Sequence, residues 1–221
     1  MSSIKTISKS SWSVILLIPF IVGCQTDVPI SPISIPESNI DSSIAGDSKT
    51  AVKFRQYNGL ERFTLQSQPD GAKLEDASGQ KILRLKKDST QKIKIEDPQE
   101  QVQGYVVPAN NTWKLRSSDQ RLDLFILRRQ NDGGYQLNTG GNQLLYRLKA
   151  QDYGYEVKTA SNQSLYTIKT KRGKTLLKDS NDEILLYAKP PISPIMMASF
   201  GLDALTEAQQ TALAYALSEE L

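Results

Sequence analysis

The strongest constraint on the fold is a hairpin-like unit that recurs along the chain. Residues 135–148 read YQLNTGGNQLLYRL and residues 155–168 read YEVKTASNQSLYTI, with further copies at 177–188 and 74–85. The last three copies are spaced 20 residues apart. In each copy, apolar residues alternate with polar ones on both sides of a turn-forming stretch. Alternation with a period of two around a turn predicts a pair of antiparallel strands.

The turn residues of the repeat predict which side chains face each other. Two-residue turns are predicted at Gly141-Asn142, Ser161-Asn162, Asn181-Asp182 and Ser78-Gly79. The opposed apolar pairs, all on one face, are then Val157 with Tyr166, Tyr155 with Ile168, Leu137 with Tyr146, Tyr135 with Leu148, and Leu74 with Leu83. One apolar position in each unit points to the other, polar face. These exceptions are Leu145, Leu165, Leu185 and Ile82.

Less regular strands are predicted between and before the repeats. They cover residues 52–57, 61–66, 91–96, 102–107, 112–116 and 122–128. Sequential hairpins in this number favour a closed antiparallel meander barrel of about twelve strands, because closure removes the exposed sheet edges. An open β-sandwich and a solenoid of the 20-residue unit are the alternatives.

Residues 194–219 are predicted to be helical. Pro190 and Pro191 end the sheet, Ser193 and Pro194 are typical of a helix start, and Gly201 is typical of a helix end. A second helix is predicted from a capping box formed by Thr206 and Gln209. Most of the segment is apolar. It would therefore either pack on the outside of the sheet or thread through the bore of the barrel, and the sequence leaves both open.

The first 23 residues are predicted to be an export signal. Lys5 and Lys9 form a positive start, an apolar stretch follows, and the signal ends in Ile21-Val22-Gly23-Cys24. These four residues resemble the bacterial lipobox, in which the Cys thiol is acylated and the chain is cleaved before it. The 12 apolar residues 12–23 are too few for a membrane span, which needs about 20. An ordinary buried thiol is also disfavoured, because the sequence around Cys24 does not predict a folded element.

Residues 24–50 are predicted to be the lipidated Cys24 and a flexible tether, which leaves 51–221 as the barrel domain. The tether is rich in Ser and Pro and has too little apolar surface to order itself. The first expected partner is therefore the membrane, contacted through lipidated Cys24. By likeness to other lipoproteins, Gln25 in place of an Asp implies the periplasmic face of the outer membrane if the organism is Gram-negative.

The exported part resembles the tubby C-terminal-like superfamily, which includes the LURP-one-related proteins and the phospholipid scramblases. The resemblance covers residues 52–221 and rests on units such as KLEDASGQKILRL at 73–85, followed by an apolar C-terminal segment. It implies a closed barrel of about twelve strands around a hydrophobic helix. The sequence departs from the family where Gly201, Asp203 and Glu207 interrupt what would be one continuous helix.

Composition argues against an enzyme and against a cofactor. The chain has no His and one Cys, so it lacks the usual groups for proton transfer near neutral pH, for transition-metal sites and for disulfides. Acidic residues at 152, 156, 179, 182 and 183 fall in turns and on outer faces, where turn formation and solubility explain them. Without the signal, 25 basic residues face 24 acidic ones, a balance that argues against nucleic-acid binding.

Basic residues concentrate in two places. The first basic cluster comprises Arg84, Lys86, Lys87, Lys92 and Lys94, and the second basic cluster comprises Lys169, Lys171, Arg172, Lys174 and Lys178. On adjacent hairpins they would form a face for anionic lipid headgroups, at about 1 kcal/mol per charge. The candidate site residues are Arg84, Lys86, Lys87, Lys169, Lys171, Arg172 and Lys174. Interspersed acids at Asp88, Glu96 and Asp179 favour instead an ordinary solvated face.

The sequence therefore predicts a membrane-anchored envelope lipoprotein whose barrel is a non-enzymatic binding or scaffold domain. Its further partner would be an anionic lipid or an envelope protein. The alternative is a lipid-binding or lipid-handling protein that uses either the basic face or the barrel interior. An enzyme that works with carboxylates alone is a third reading.

Overall fold

The computed structural model describes residues 51–219, which form a closed barrel of fourteen antiparallel strands. Each strand pairs with its neighbours in sequence, and the first pairs with the last. The strands are β1 (Ala51–Arg55), β2 (Glu61–Gln68), β3 (Gly71–Asp76), β4 (Lys81–Lys87), β5 (Ile93–Glu96), β6 (Val102–Ala109), β7 (Thr112–Arg116), β8 (Asp123–Arg129), β9 (Tyr135–Thr139), β10 (Leu144–Gln151), β11 (Gly154–Thr159), β12 (Ser164–Lys171), β13 (Lys174–Asp179) and β14 (Ile184–Ala188).

The predicted fold class is confirmed, although the barrel has fourteen strands where about twelve were expected. The count is higher because the four repeated hairpins and all six of the less regular segments form strands. The five predicted cross-strand pairs are also confirmed. They join Val157 to Tyr166, Tyr155 to Ile168, Leu137 to Tyr146, Tyr135 to Leu148, and Leu74 to Leu83.

The turns of the repeat differ from the prediction. Between β9 and β10 the Asn142 N–H donates to the Thr139 carbonyl at 2.9 Å, and the Thr139 N–H donates to the Gln143 carbonyl at 2.8 Å. This is a three-residue connection in which Asn142 has a φ of 65°. The other repeats share it, with the positive φ at Asn162, Asp182 and Gly79. The prediction of two-residue turns was wrong because Asn, Asp and Gly suit either turn.

A β-bulge beyond each of these turns explains the apolar residues that broke the alternation. On β10, Leu144 pairs with Asn138 but Tyr146 pairs with Leu137, so Leu145 is an extra residue in the strand. The equivalent extra residues in the other repeats are Leu165, Leu185 and Ile82. Because the bulge adds one residue, it restores the register that a two-residue turn would have given.

The bore of the barrel is filled by the C-terminal segment. This segment comprises α1 (Pro194–Ala198), a short 3-10 turn (Ser199–Gly201) and α2 (Glu207–Ser218). The first helix packs on β11–β13 and the second on β5–β7, which lie on opposite sides of the ring. Residues 195–199 and 211–217 are buried, so both helices lie inside the barrel as a hairpin. Of the two placements left open by the sequence, threading is the one observed.

Local interactions explain where the helical hairpin turns. A Cβ at Gly201 would lie 3.0 Å from the Tyr166 ring, so the chain packs tightly against the wall there and a larger residue would displace that ring. The Tyr166 hydroxyl donates to the Asp203 carboxylate at 2.6 Å. The Thr206–Gln209 capping box then starts α2 as predicted. Gly201 and Asp203, which interrupt a single helix, therefore lie in the bend between the two helices, and Glu207 begins the second.

The strand order gives the barrel two unlike ends. The proximal end carries the start of β1, the end of β14, and the β2–β3, β4–β5, β6–β7, β8–β9, β10–β11 and β12–β13 turns. The distal end carries the repeat turns and the bend between α1 and α2. No helix within residues 51–219 has the length and apolar character needed to cross a membrane.

Candidate functional site

The first basic cluster lies on β4, β5 and the turn between them, and its charges are neutralised. Arg84 lies 2.7 Å from Asp70, and Lys92 lies 3.5 Å from Asp88. Lys87 pairs with Glu219, just beyond α2. The remaining two members, Lys86 and Lys94, share one carboxylate, that of Glu96. An anionic ligand here would therefore have to displace existing partners.

Glu96 is the centre of this arrangement. Its side chain is 3% exposed, and its oxygens lie 2.9 Å from Lys86 Nζ and 2.8 Å from Lys94 Nζ. The two lysines are directly opposed on paired strands, where like charges repel. Burial alone would raise the pKa of Glu96, but hydrogen bonds from Lys94 and Lys86 outweigh burial and lower its pKa. Glu96 is thus an ionised structural link between strands.

The second basic cluster has no such link. Lys171 on β12 is directly opposite Lys174 on β13, and Arg172 lies in the turn between them. Within residues 51–219, neither these three nor Lys169 forms an ion pair, whereas Lys178 lies 2.7 Å from Asp182. Four cations are therefore left without a carboxylate partner in the described part of the chain.

Aromatic rings support two members of the second basic cluster. Lys169 Nζ lies 5.1 Å from the centre of the Tyr153 ring, and Lys174 Nζ lies 4.4 Å from that of Tyr187. A ring face attracts a cation without neutralising it. The pKa of Asp182 is lowered first by its hydrogen bond from Lys178 and further by the positive charge of Lys169 and other cluster members. The cluster therefore keeps its positive field.

The two clusters do not form one face. Four strands, β14, β1, β2 and β3, lie between the β12–β13 hairpin and β4. The prediction that they sit on adjacent hairpins was wrong. Adjacent strands of the barrel are consecutive in the sequence, except where β1 pairs with β14, and the two clusters are far apart in the sequence. Only the second cluster combines exposure with unpaired charge. The predicted lipidation site, Cys24, lies outside the described residues.

A cleft of about 460 Å³ opens at the proximal end, beside the second basic cluster. It lies between the β10–β11 turn and the start of α1, and its lining includes Tyr135, Tyr153 and Tyr155. Gly154 brings the hairpin close to β12: its φ is +141°, and a Cβ there would lie 2.4 Å from the Ile168 carbonyl oxygen. The position therefore requires glycine.

Sequence reasoning missed this cleft. Tyr155 was assigned correctly to the inner face, but the opening beside it was not expected. The available signal was the small residue Ala150, which pairs with Tyr155 at the end of β10. A small inward side chain at the mouth of a barrel leaves a space that larger inward side chains fill elsewhere in the barrel.

The acidic residues considered for catalysis have local partners. Glu156 lies 3.2 Å from Lys158, and Asp179 accepts hydrogen bonds from the Asn181 and Glu183 N–H groups in its own turn. Asp152 lies in the β10–β11 turn, at the rim of the cleft. Across residues 51–219, no group of three or more acidic, Cys or His side chains is arranged to hold a metal ion.

Comparisons with known proteins include a likeness to a solved structure. No protein-family model matches the chain, and no curated protein matches it either. An X-ray structure of a protein from Arabidopsis thaliana is similar at 14% identity and a TM-score of 0.36. The match covers 55% of this chain and 86% of the plant protein.

Proposed function

We propose that this protein is an envelope lipoprotein, anchored through lipidated Cys24, whose barrel is a non-enzymatic binding or scaffold domain. The observation that carries the proposal is the position of the unpaired charge. Ala51, where the described chain begins, is at the proximal end, and so are Lys171, Arg172 and Lys174. An anchor upstream of Ala51 would hold this end of the barrel toward the membrane.

The second basic cluster suits such an orientation. Anionic lipids attract cations close to the surface, and each exposed Lys or Arg contributes about 1 kcal/mol. Lys171 and Lys174 oppose each other without a bridging carboxylate, an arrangement that costs stability in isolation. An anionic surface would relieve that repulsion. The barrel would then contact the membrane at two places, the acylated Cys24 and this turn.

The alternative is a lipid-handling protein, and here the outer face is a better candidate than the interior. Both helices occupy the bore, and the inner residues of the strands pack on them in one continuous core. The proposal therefore places any lipid contact at the proximal end. Membership of the tubby C-terminal-like superfamily remains part of the proposal, supported by the closed barrel with apolar helices inside it.

The anchor is tested by changing Cys24→Ala in the full chain. Wild-type protein should be found in the membrane fraction, with a mature mass that begins at Cys24 and includes acyl chains. The variant should lose the acyl mass and be released from membranes, because the proximal cations alone bind weakly and reversibly. Ser42→Ala, which keeps the thiol, is the matched control. Wild-type protein that retains residues 1–23 or carries a free thiol would contradict the proposal.

A further inference from the structure

The cleft at the proximal end combines an apolar floor with a charged rim. Ile195 at the start of α1 and Leu217 near the end of α2 contribute the floor, and Tyr155 contributes a wall. Its volume of about 460 Å³ falls in the range of roughly 300–1,000 Å³ that is typical of small-molecule sites. A ligand bound here would therefore meet apolar atoms of both helices.

One cation, Arg129, lines the rim of this cleft, and a second, Lys169, lies against the rim residue Tyr153. Arg129, at the end of β8, is exposed and lines the opening. Its charge acts on the Tyr155 hydroxyl: burial raises the pKa of Tyr155, and Arg129 offsets part of that rise. On the other side, Tyr153 forms the rim and carries Lys169 over its ring. Among the described lining residues, Asp152 is the acid that faces these cations.

We infer that the cleft binds one anionic amphiphile, with its acidic headgroup against Arg129 at the rim and its apolar part against Tyr155, Ile195 and Leu217. Charge complementarity selects the anion, and the helix residues select an apolar moiety rather than a free inorganic ion. This inference rests on the proposed membrane-facing orientation. It goes further in assigning a single, saturable site instead of diffuse attraction to a charged surface.

The ligand could be a lipid drawn from the bilayer or a free amphiphile, and the two sources require different experiments. For the free ligand, the full chain carrying Cys24→Ser is titrated calorimetrically with dihexanoyl phosphatidylglycerol below its micelle concentration. Dihexanoyl phosphatidylcholine is the chain-matched control, since it has the same acyl chains and no net charge. For the bilayer lipid, native mass spectrometry follows incubation with phosphatidylglycerol vesicles.

Saturable binding with a stoichiometry of one is expected for the anionic lipid, with at least about tenfold weaker binding of the zwitterionic one. Arg129→Ala should weaken binding about tenfold, and Ala150→Leu should weaken it by filling the cleft. Arg121→Ala removes the same charge from a distal turn, where the side chain is 86% exposed, and should leave binding unchanged. Thermal unfolding of each variant checks that the barrel is intact.

Three outcomes would overturn the inference. One is the absence of saturable binding by either source of lipid, and another is equal binding by Arg129→Ala and Arg121→Ala. Free phosphate that competes as well as the lipid would also refute it, since the apolar floor would then contribute nothing. Failure here leaves the proposed anchor standing, because that proposal is judged by the mass and the membrane release of Cys24→Ala.

Discussion

The charges of the first basic cluster are neutralised by carboxylates, whereas four of the five cations in the second lack a carboxylate partner among the described residues. Each contains two lysines directly opposed across a strand pair, Lys86 with Lys94 and Lys171 with Lys174. In the first, the buried Glu96 binds both lysines and turns repulsion into a link between β4 and β5. In the second, no described acid plays that part.

This difference shows how to separate a structural charge cluster from a candidate binding surface. A cluster that stabilises the fold has its counter-charge buried beneath it, and removing that counter-charge costs stability. In a cluster that is available to a partner, the positive charges stay unpaired, and the repulsion between them lowers the stability of the fold. Stability and membrane binding should therefore respond in opposite ways to changes in the two places.

The largest effect is expected from neutralising the second basic cluster. Changing Lys169, Lys171, Arg172 and Lys174 to Gln removes four charges, at about 1 kcal/mol each near an anionic surface. The partition of the Cys24→Ser chain onto phosphatidylglycerol vesicles should fall by roughly 1,000-fold. Vesicle flotation measures it, and added salt should weaken the wild-type binding as well.

The matched control changes Arg84, Lys86, Lys87 and Lys94 to Gln in the first basic cluster. It removes the same number of charges, yet vesicle binding should stay close to that of the unmodified chain. The unfolding free energy should fall instead, since Glu96 and Asp70 lose their partners. Equal loss of vesicle binding in both variants would mean that total charge, and not the second basic cluster in particular, governs membrane contact.

A smaller effect is expected from Glu96→Gln. The change keeps the size of the buried side chain but removes the charge between Lys86 and Lys94. We expect a loss of about 2 kcal/mol of unfolding free energy, measured by chemical denaturation. Glu100→Gln, in an exposed turn on the same hairpin, is the control and should change stability little.

The pH dependence of stability gives a second measure of the same group. The pKa of Glu96 is lowered from its ordinary value of 4.5, so the native state favours the ionised form. Its contribution is therefore present above pH 4.5 and is lost as the pH falls through the lowered value. Wild-type protein should lose more stability than Glu96→Gln between pH 4.5 and more acidic conditions. Parallel curves for the two proteins would show that Glu96 is not a structural link.

The smallest effect is expected from Tyr187→Leu. This change removes the ring on which Lys174 lies, at 4.4 Å, without altering the cluster's charge. A double-mutant cycle with Lys174→Met should give a coupling energy of about 0.5 kcal/mol. Vesicle binding by Tyr187→Leu should be nearly unchanged. A coupling of zero would show that the ring does not position this lysine.

Much of the fold could be predicted because the repeat specifies which residues pair across neighbouring strands. Alternation around each turn placed Val157 opposite Tyr166 and located the inner face, since a slip of one residue would expose every apolar side chain. The turns could not be predicted, because Asn142 suits both a two-residue and a three-residue connection. Threading of the helices was left open, since an apolar segment can bury itself on either side of a sheet.

The candidate site was predictable only in part. The runs of Lys and Arg were evident, but whether a run is neutralised depends on which strand lies beside it. Glu96 comes to lie opposite Arg84 through the β4–β5 pairing, and those two strands are not part of one repeat copy. The comparable positions on β11 and β13 place Gly154 and Leu176 opposite Lys169. No count of charges along the sequence distinguishes these cases.

The helical hairpin in the bore has a consequence for how the chain matures. All fourteen strands precede the residues that fill the bore. During synthesis the strands are therefore made before the helices that pack inside them. Leu213 and Met197, both fully buried, are added to the core only after all fourteen strands have been synthesised. The strands alone therefore cannot complete the core, and the barrel reaches its final packing only when α1 and α2 enter the bore.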